Sequence, residues 1–247
     1  ALVEELDPGG ERLLALPCDV QEAEQVKAAF AAVANKWTRL DALVHNAGAG
    51  YWGPIGECSE EAWDRSFGTN VKGAFLCSQA ALPLMAPQAR GRIVMISSMA
   101  QRAEGALEAP FAASKRGLQG FAKTMGLELR EKGIGVTVIA PGALNTAGFA
   151  SASEKSQPWY GISAVELARV VMEVLERSPN VWVHELQLTH LGGESHGPDG
   201  RDIRDALREH EERLLIRAQG PAEAGESRWI DPAVIEQHNL RAPCFEV

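Results

Sequence analysis

The sequence predicts an open α/β fold, a doubly wound parallel sheet, and three observations predict it. Short apolar segments alternate with stretches of helical periodicity, which implies crossover connections. Two of those segments, Arg92–Ser98 and Gly135–Ala140, are almost continuously apolar, as strands covered on both faces are. Polar residues and glycines gather at the carboxyl ends of the strands, where ligands bind in such sheets.

The elements follow in order. Ala1 to Leu6 read as the end of a helix, and Asp7-Pro8-Gly9-Gly10 breaks it. Arg12 to Val20 read as a short strand ending at the Asp19 carboxylate. Val26, Phe30 and Val33 then recur at helical spacing. Leu40 to His45 read as a buried strand that runs directly into Asn46-Ala47-Gly48-Ala49-Gly50. Ser59 can cap a helix carrying Trp63 and Phe67, which continues or kinks at Gly68 toward Asn70 and Leu76 and ends at Pro83 and Pro87.

Strand Arg92–Ser98 closes on two hydroxyls, and a helix around Ser114 to Leu129 follows. Strand Gly135–Ala140 meets Pro141-Gly142. A loop rich in Ser, Gly and Pro leads to a capping box, Ser163 with Glu166, on a helix to about Glu176, before a strand from Val181 to Leu188. We divide the chain into residues 1–192, the α/β domain, and an acidic C-terminal extension, residues 193–247. From Gly192 onward there are seven basic and twelve acidic residues, so this stretch carries −5 of the net −9. It reads either as a solvated helix packed on its own subunit, or as a subunit contact or cover over the site.

Composition excludes several classes of function. The chain has 247 residues, 45% of them hydrophobic, enough for one substantial core. An excess of 33 acidic over 24 basic residues argues against nucleic-acid binding. No apolar run approaches the roughly 20 residues that span a bilayer, and no leader pattern is visible, so no membrane association and a cytoplasmic location are expected. Cys18, Cys58, Cys77 and Cys244 lack CxxC spacing, so no metal site is expected.

Asp19-Val20, Asn46-Ala47-Gly48, Asn70, Ile96-Ser97-Ser98, Ser114-Lys115 and Pro141-Gly142 with Thr146 resemble, in order and spacing, the short-chain dehydrogenase/reductase family over roughly residues 1–190. The resemblance implies a doubly wound fold, NAD or NADP as cofactor, a small carbonyl or alcohol substrate and a homo-oligomer. It makes Asp19 and Val20 the adenine contact, although a lone strand-end aspartate also caps helices. Asn46, Ala47 and Gly48 let cofactor and backbone approach closely. Asn70 supports a kinked helix and a water in the proton path, its other reading being a helix-surface amide. Thr146, beyond Pro141 and Gly142, orients the nicotinamide carboxamide or caps a turn. Ser98 polarises the substrate carbonyl, or caps the next helix.

Two departures stand out. Where the family reads Tyr-x-x-x-Lys, this chain has Phe111-Ala112-Ala113-Ser114-Lys115. Positions 111 and 115 lie one helical turn apart on one face. In the family the lysine holds the nicotinamide ribose and lowers the tyrosine pKa; phenylalanine has no proton to exchange, and general acid/base help is worth about 10²- to 10⁴-fold. Tyr160, in Gln157-Pro158-Trp159-Tyr160-Gly161, reads as a replacement acid or, with Trp159, as an apolar contact of a lid.

The second departure is that no Thr-Gly-x-x-x-Gly-x-Gly phosphate loop occurs in the chain. We expect this loop and its strand upstream of Ala1 in a longer protein. The alternatives are that the tail fills the gap, or that the protein is a relative that binds no dinucleotide. The leading expectation is an NAD(P)-dependent oxidoreductase impaired at Phe111; the rival is a non-catalytic binding or scaffolding protein on the same fold.

Overall fold

The structure, a computed structural model, describes Asp7 and residues 9–101, 106–142, 144–145 and 161–190. Ala1 to Leu6, Thr146, Trp159, Tyr160 and the extension 193–247 lie outside the described residues. Two compact units are distinguished, Leu14–Ala140 with Val174–Gln187, and Ala1–Leu13 with Pro141–Glu173 and Leu188–Val247.

In the first unit, helix α1 (Ala23–Trp37) turns its Val26 face inward. Strand β1 (Ala42–His45) follows, then helix α2 (Glu60–Phe67), capped as expected by Ser59, whose Oγ accepts from Ala62 N at 3.2 Å. The chain does kink at Gly68: a six-residue π-helical turn, Gly68–Gly73, leads into helix α3 (Ala74–Met85). Strand β2 (Gly91–Ile96), helix α4 (Ala109–Leu129) and strand β3 (Ile134–Pro141) complete the run, and β6 (Glu185–Leu188) comes last.

The sheet has the order β1-β2-β3-β6, with β1–β2 and β2–β3 parallel. Ile93 and Met95 point one way and Val94 and Ile96 the other, yet all four are buried, so β2 is covered on both faces. Met85, Ala81 and Ala74 of α3 and Leu118, Ala122 and Met125 of α4 share one core with Ile93, Met95, Ile134 and Val138. Burying each such large side chain contributes about 1.5 to 3 kcal/mol. Between α4 and β3, Gly133 adopts φ +69°, and a side chain there would collide with Ala89 O, so the turn admits only glycine.

Three expectations need correction. Arg12 to Val20 form no strand. A strand is held by its ladder, and this segment has none: among the described residues the neighbour of β1 is β2, and Arg12 to Val20 do not pair with its other edge. Pro83 does not end its helix but sits inside α3, which continues to Met85; in the last turn it removes one N–H and leaves the rest of the ladder intact. The strand expected from Val181 begins only at Glu185. Ahead of it, Val138 N donates to His184 O at 3.1 Å, and before that side-chain bonds replace the ladder: Trp182 Nε1 donates to Val136 O at 2.7 Å and Thr137 Oγ1 to Val183 O at 2.6 Å. Gly126 leaves room for that indole, which a methyl there would approach to 2.7 Å.

In the second unit, the described residues include the short parallel pair β4 (Leu144–Asn145) and β5 (Ile162–Ser163), and helix α5 (Ala164–Glu176), whose last three residues fall in the first unit. Ser163 caps α5 as expected, accepting from Glu166 N at 3.1 Å. Gly142 N donates to Leu188 O at 2.8 Å.

Candidate active site

The carboxyl ends of β1 and β2, the π turn and the N-terminal half of α4 bring the expected residues Gly48, Asn70, Phe111 and Lys115 together, with Ser98 two residues beyond the strand end that Lys115 grips. Asn70 is fully buried, so the surface-amide reading does not hold. Its Oδ1 accepts from Ala49 N at 3.0 Å, and its Nδ2 donates to Ala49 O and to Ser114 Oγ, both at 2.7 Å. Ser114 Oγ in turn donates to Phe111 O at 2.8 Å. Every hydrogen on that amide and hydroxyl is placed, so the loop after β1 is clamped to α4 by a closed polar network. A π turn at this point fits the role, because the extra residue aims one side chain inward.

Lys115 is 4% exposed, and its Nζ donates to Ile96 O at 2.9 Å. Ser97 Oγ donates to Lys115 O at 3.4 Å, so β2 and α4 are stitched in both directions. Burial pushes the ammonium down to about 8, which leaves it charged at neutral pH. A methyl at Gly48 would lie 3.3 Å from Nζ and 3.4 Å from Asn70 Oδ1. Glycine therefore keeps open a cradle beside the Lys115 ammonium and the Asn70 amide. Ser98 Oγ accepts from Ala100 N at 3.1 Å, capping the next turn; an accepting hydroxyl still has its own proton to donate.

Asp19 and Val20 stand in the turn ahead of α1. Asp19 Oδ1 accepts from Gln21 N at 2.9 Å and its own N–H donates to Gln25 Oε1 at 2.9 Å, a turn leading into α1. Val20 packs where Gly73 has only hydrogen. Asn46 is exposed and Ala47 half-buried in the loop leading to Gly48. Pro141 and Gly142 belong to the second unit, and Thr146 lies outside the described residues.

Sequence reasoning passed over His45 and Trp52. His45 is 3% exposed, with Nε2 lacking a hydrogen-bond partner. Its signal was available, since it shares the inward parity of Leu43 on β1. Burial, and secondly the charge of Lys115, push its imidazole down to about 4 against the opposing pull of a hydrogen bond with the Thr69 backbone. Between pH 6.5 and 4 the unfolded chain takes up a proton that the folded imidazole refuses, so stability falls as pH falls through that window. Urea midpoints of the wild type and of His45→Gln are expected to diverge progressively from pH 6.5 down to 4, by up to about 3 kcal/mol. Parallel pH profiles would show that His45 is not held neutral.

The fold is an open α/β sheet with a buried lysine and amide, and an exposed glycine, gathered beyond its strand ends. A profile described as short chain dehydrogenase matches residues 1–157, and the chain belongs to that family. It is similar to the (2S)-[(R)-hydroxy(phenyl)methyl]succinyl-CoA dehydrogenase subunit BbsD of Thauera aromatica, 34% identical over 157 residues, 64% of this chain and 63% of that protein. It is also similar to the 3-oxoacyl-[acyl-carrier-protein] reductase FabG of Staphylococcus aureus, 36% identical over 142 residues, 58% of each. The chain thus spans only about three fifths of the length of these relatives.

Among solved structures, a Tyr-to-Phe variant of ElxO with NADPH bound has a TM-score of 0.62 and 25% identity, covering 68% of this chain and 73% of that one. The closed form of serine dehydrogenase complexed with NADP+ shares the fold, with a TM-score of 0.70 at 23% identity, covering 79% of this chain and 83% of that one. No helix among the described residues is long and apolar enough to cross a membrane.

Proposed function

We propose that the protein is an NAD(P)-dependent oxidoreductase acting on a small carbonyl or alcohol, with its proton-transfer step weakened at Phe111. The observation that carries this reading is the buried Lys115 ammonium, held on Ile96 O beside the cradle at Gly48 and the Asn70 amide. A cation costs free energy to bury, and one aimed at a cradle free of side chains fits a polyhydroxylated ligand. The ElxO variant supports the same reading, because it holds NADPH with one tyrosine replaced by phenylalanine.

Each residue then has a task. Lys115 donates to the ribose hydroxyls with the hydrogens that Ile96 O does not take. Asn46, Ala47 and Gly48 admit the nucleotide against backbone, and Asp19 and Val20 meet the adenine edge. A bound nicotinamide supplies or accepts the hydride. Ser98 donates its free proton to the substrate oxygen and polarises the carbonyl. Asn70 fixes Ala49 and Ser114, and through them the spacing of the loop from α4. With a phenyl ring at position 111, the proton completing reduction arrives from water or from Ser98, which is slower than transfer from a phenol.

A second reading, a non-catalytic binding protein on this fold, is favoured by the same Phe111. Fluorescence titration with NADPH and with NADH separates the two. Saturable binding below millimolar cofactor with slow turnover of simple ketones is expected. Unchanged emission at millimolar concentrations of both would end the oxidoreductase reading, and binding with no turnover of any carbonyl would favour the second.

A further inference from the structure

Two cysteines that the proposed reaction does not use are brought to one level of the fold. The chain ahead of α1 passes along the π turn and α3 in the opposite direction to them: a Cβ at Gly68 would meet the Gln21 side chain, and a Cβ at Gly73 would lie 2.7 Å from Val20 Cγ2 and 3.1 Å from Val20 Cβ. Each step up the helix is thus matched by a step back along the segment. The next step reaches Cys77, four residues beyond Gly73, and Cys18, two residues before Val20. Residues four apart on a helix share a face, the side chain leaning toward the N-terminus, and residues two apart in extended chain face the same way. The two steps also agree in length, about 6 Å on the helix and about 6.6 Å in extended chain.

A disulfide needs Cβ atoms about 3.5 to 4.5 Å apart. At Gly73 the two segments already stand closer than that, because glycine has no side chain to hold them off. Cys77 is buried, Cys18 is half-buried, and both are free thiols. Burial raises the Cys77 thiol to about 11, with the charge of Cys18 as the second cause, so a charge on one sulfur reaches the other. Cys58, by contrast, donates to Ser59 O at 3.5 Å in a different loop. We propose that Cys18 and Cys77 are a redox pair, closed to a disulfide by small-molecule disulfides and reopened by thiols. The Cys18 thiolate, its proton lost to solvent, attacks one sulfur of glutathione disulfide and expels one glutathione thiolate. Cys77 then gives up its proton, displaces the second glutathione from Cys18 and forms the S–S bond. The protein loses two electrons and two protons, and the reagent becomes two glutathione thiols. The closed bond joins the segment bearing Asp19 and Val20 to the helix that follows Asn70, and it constrains the unfolded chain between them.

The test treats the whole native chain with glutathione disulfide, alkylates the remaining thiols with iodoacetamide and maps tryptic peptides without reduction. Peptides 13–27 and 73–90, which hold Cys18 and Cys77 singly, are expected as one linked species, two hydrogens lighter than their sum. Dithiothreitol should separate them, and the urea midpoint should be higher for the closed form than for the reduced one. Cys77→Ala should leave Cys18 carrying one glutathione, and Cys18→Ser should slow the reaction of Cys77 at least about tenfold. A dominant linkage through Cys58 or Cys244 or between two chains would overturn the proposal. So would a wild type that stops at glutathione on Cys18, a Cys77 that reacts as fast without Cys18, or a lower urea midpoint for the closed form.

Discussion

Phe111→Tyr is expected to raise the rate of carbonyl reduction at saturating cofactor by about 10²-fold or more. The ring already sits on the same face of α4 as Lys115, with the ammonium 5.8 Å from its centroid, so the substitution adds only an oxygen at the para position. A phenol there gains two things from the existing site. The lysine cation would favour its ionised form and draw its pKa down, and in the proposed reaction Ser98 would hold the substrate oxygen to which its proton goes. With reduced cofactor bound to supply the hydride, the phenol would give its proton to the substrate oxygen, and solvent would restore the phenol. Steady-state kinetics on one ketone, with cofactor affinity measured alongside, decide the matter. An unchanged rate with cofactor still bound would mean that Ser98 and Lys115 are not arranged for hydride transfer, and would leave the binding-protein reading in possession.

The sheet and most of its helices were legible because their signals are local. β2 and β3 announce themselves as apolar runs, Ser59 and Ser163 as caps, and Gly68 as a kink. Arg12 to Val20 carried the same apolar signal and form no strand, because pairing depends on a neighbour that composition does not reveal. Within the site, spacing brought out Phe111 and Lys115, since one turn of helix fixes their relation. It did not bring out the tie between Asn70 and Ala49 across 21 residues, or to Ser114 across 44, which only the folded chain creates. The packing of Trp52 on Phe111 was invisible for the same reason, since only the fold brings the two rings together.

Lys115→Met is expected to make the protein more stable and to abolish its hold on nucleotide. Burial draws the ammonium from 10.5 down to about 8, so carrying the charge inside costs roughly 3 kcal/mol at neutral pH. Methionine fills similar volume without that charge. Loss of the bond to Ile96 O gives back about 1 kcal/mol, and the net expected gain is about 2 kcal/mol, read as a raised urea midpoint at pH 7.

The same cost has a pH signature. Between about 8 and 10.5 the unfolded lysine keeps a proton that the folded one has released, so wild-type stability rises with pH across that window and the methionine variant lacks this rise. His45 supplies an internal check, because the Lys115 charge is one cause of its lowered pKa; with methionine present, the loss of stability toward pH 4 should shrink. A variant that is less stable and still binds NADPH would make Lys115 a tether between β2 and α4 and nothing more. Greater stability with nucleotide affinity at least tenfold weaker would identify the buried cation as a group held against the preference of the fold, for the sake of a ligand.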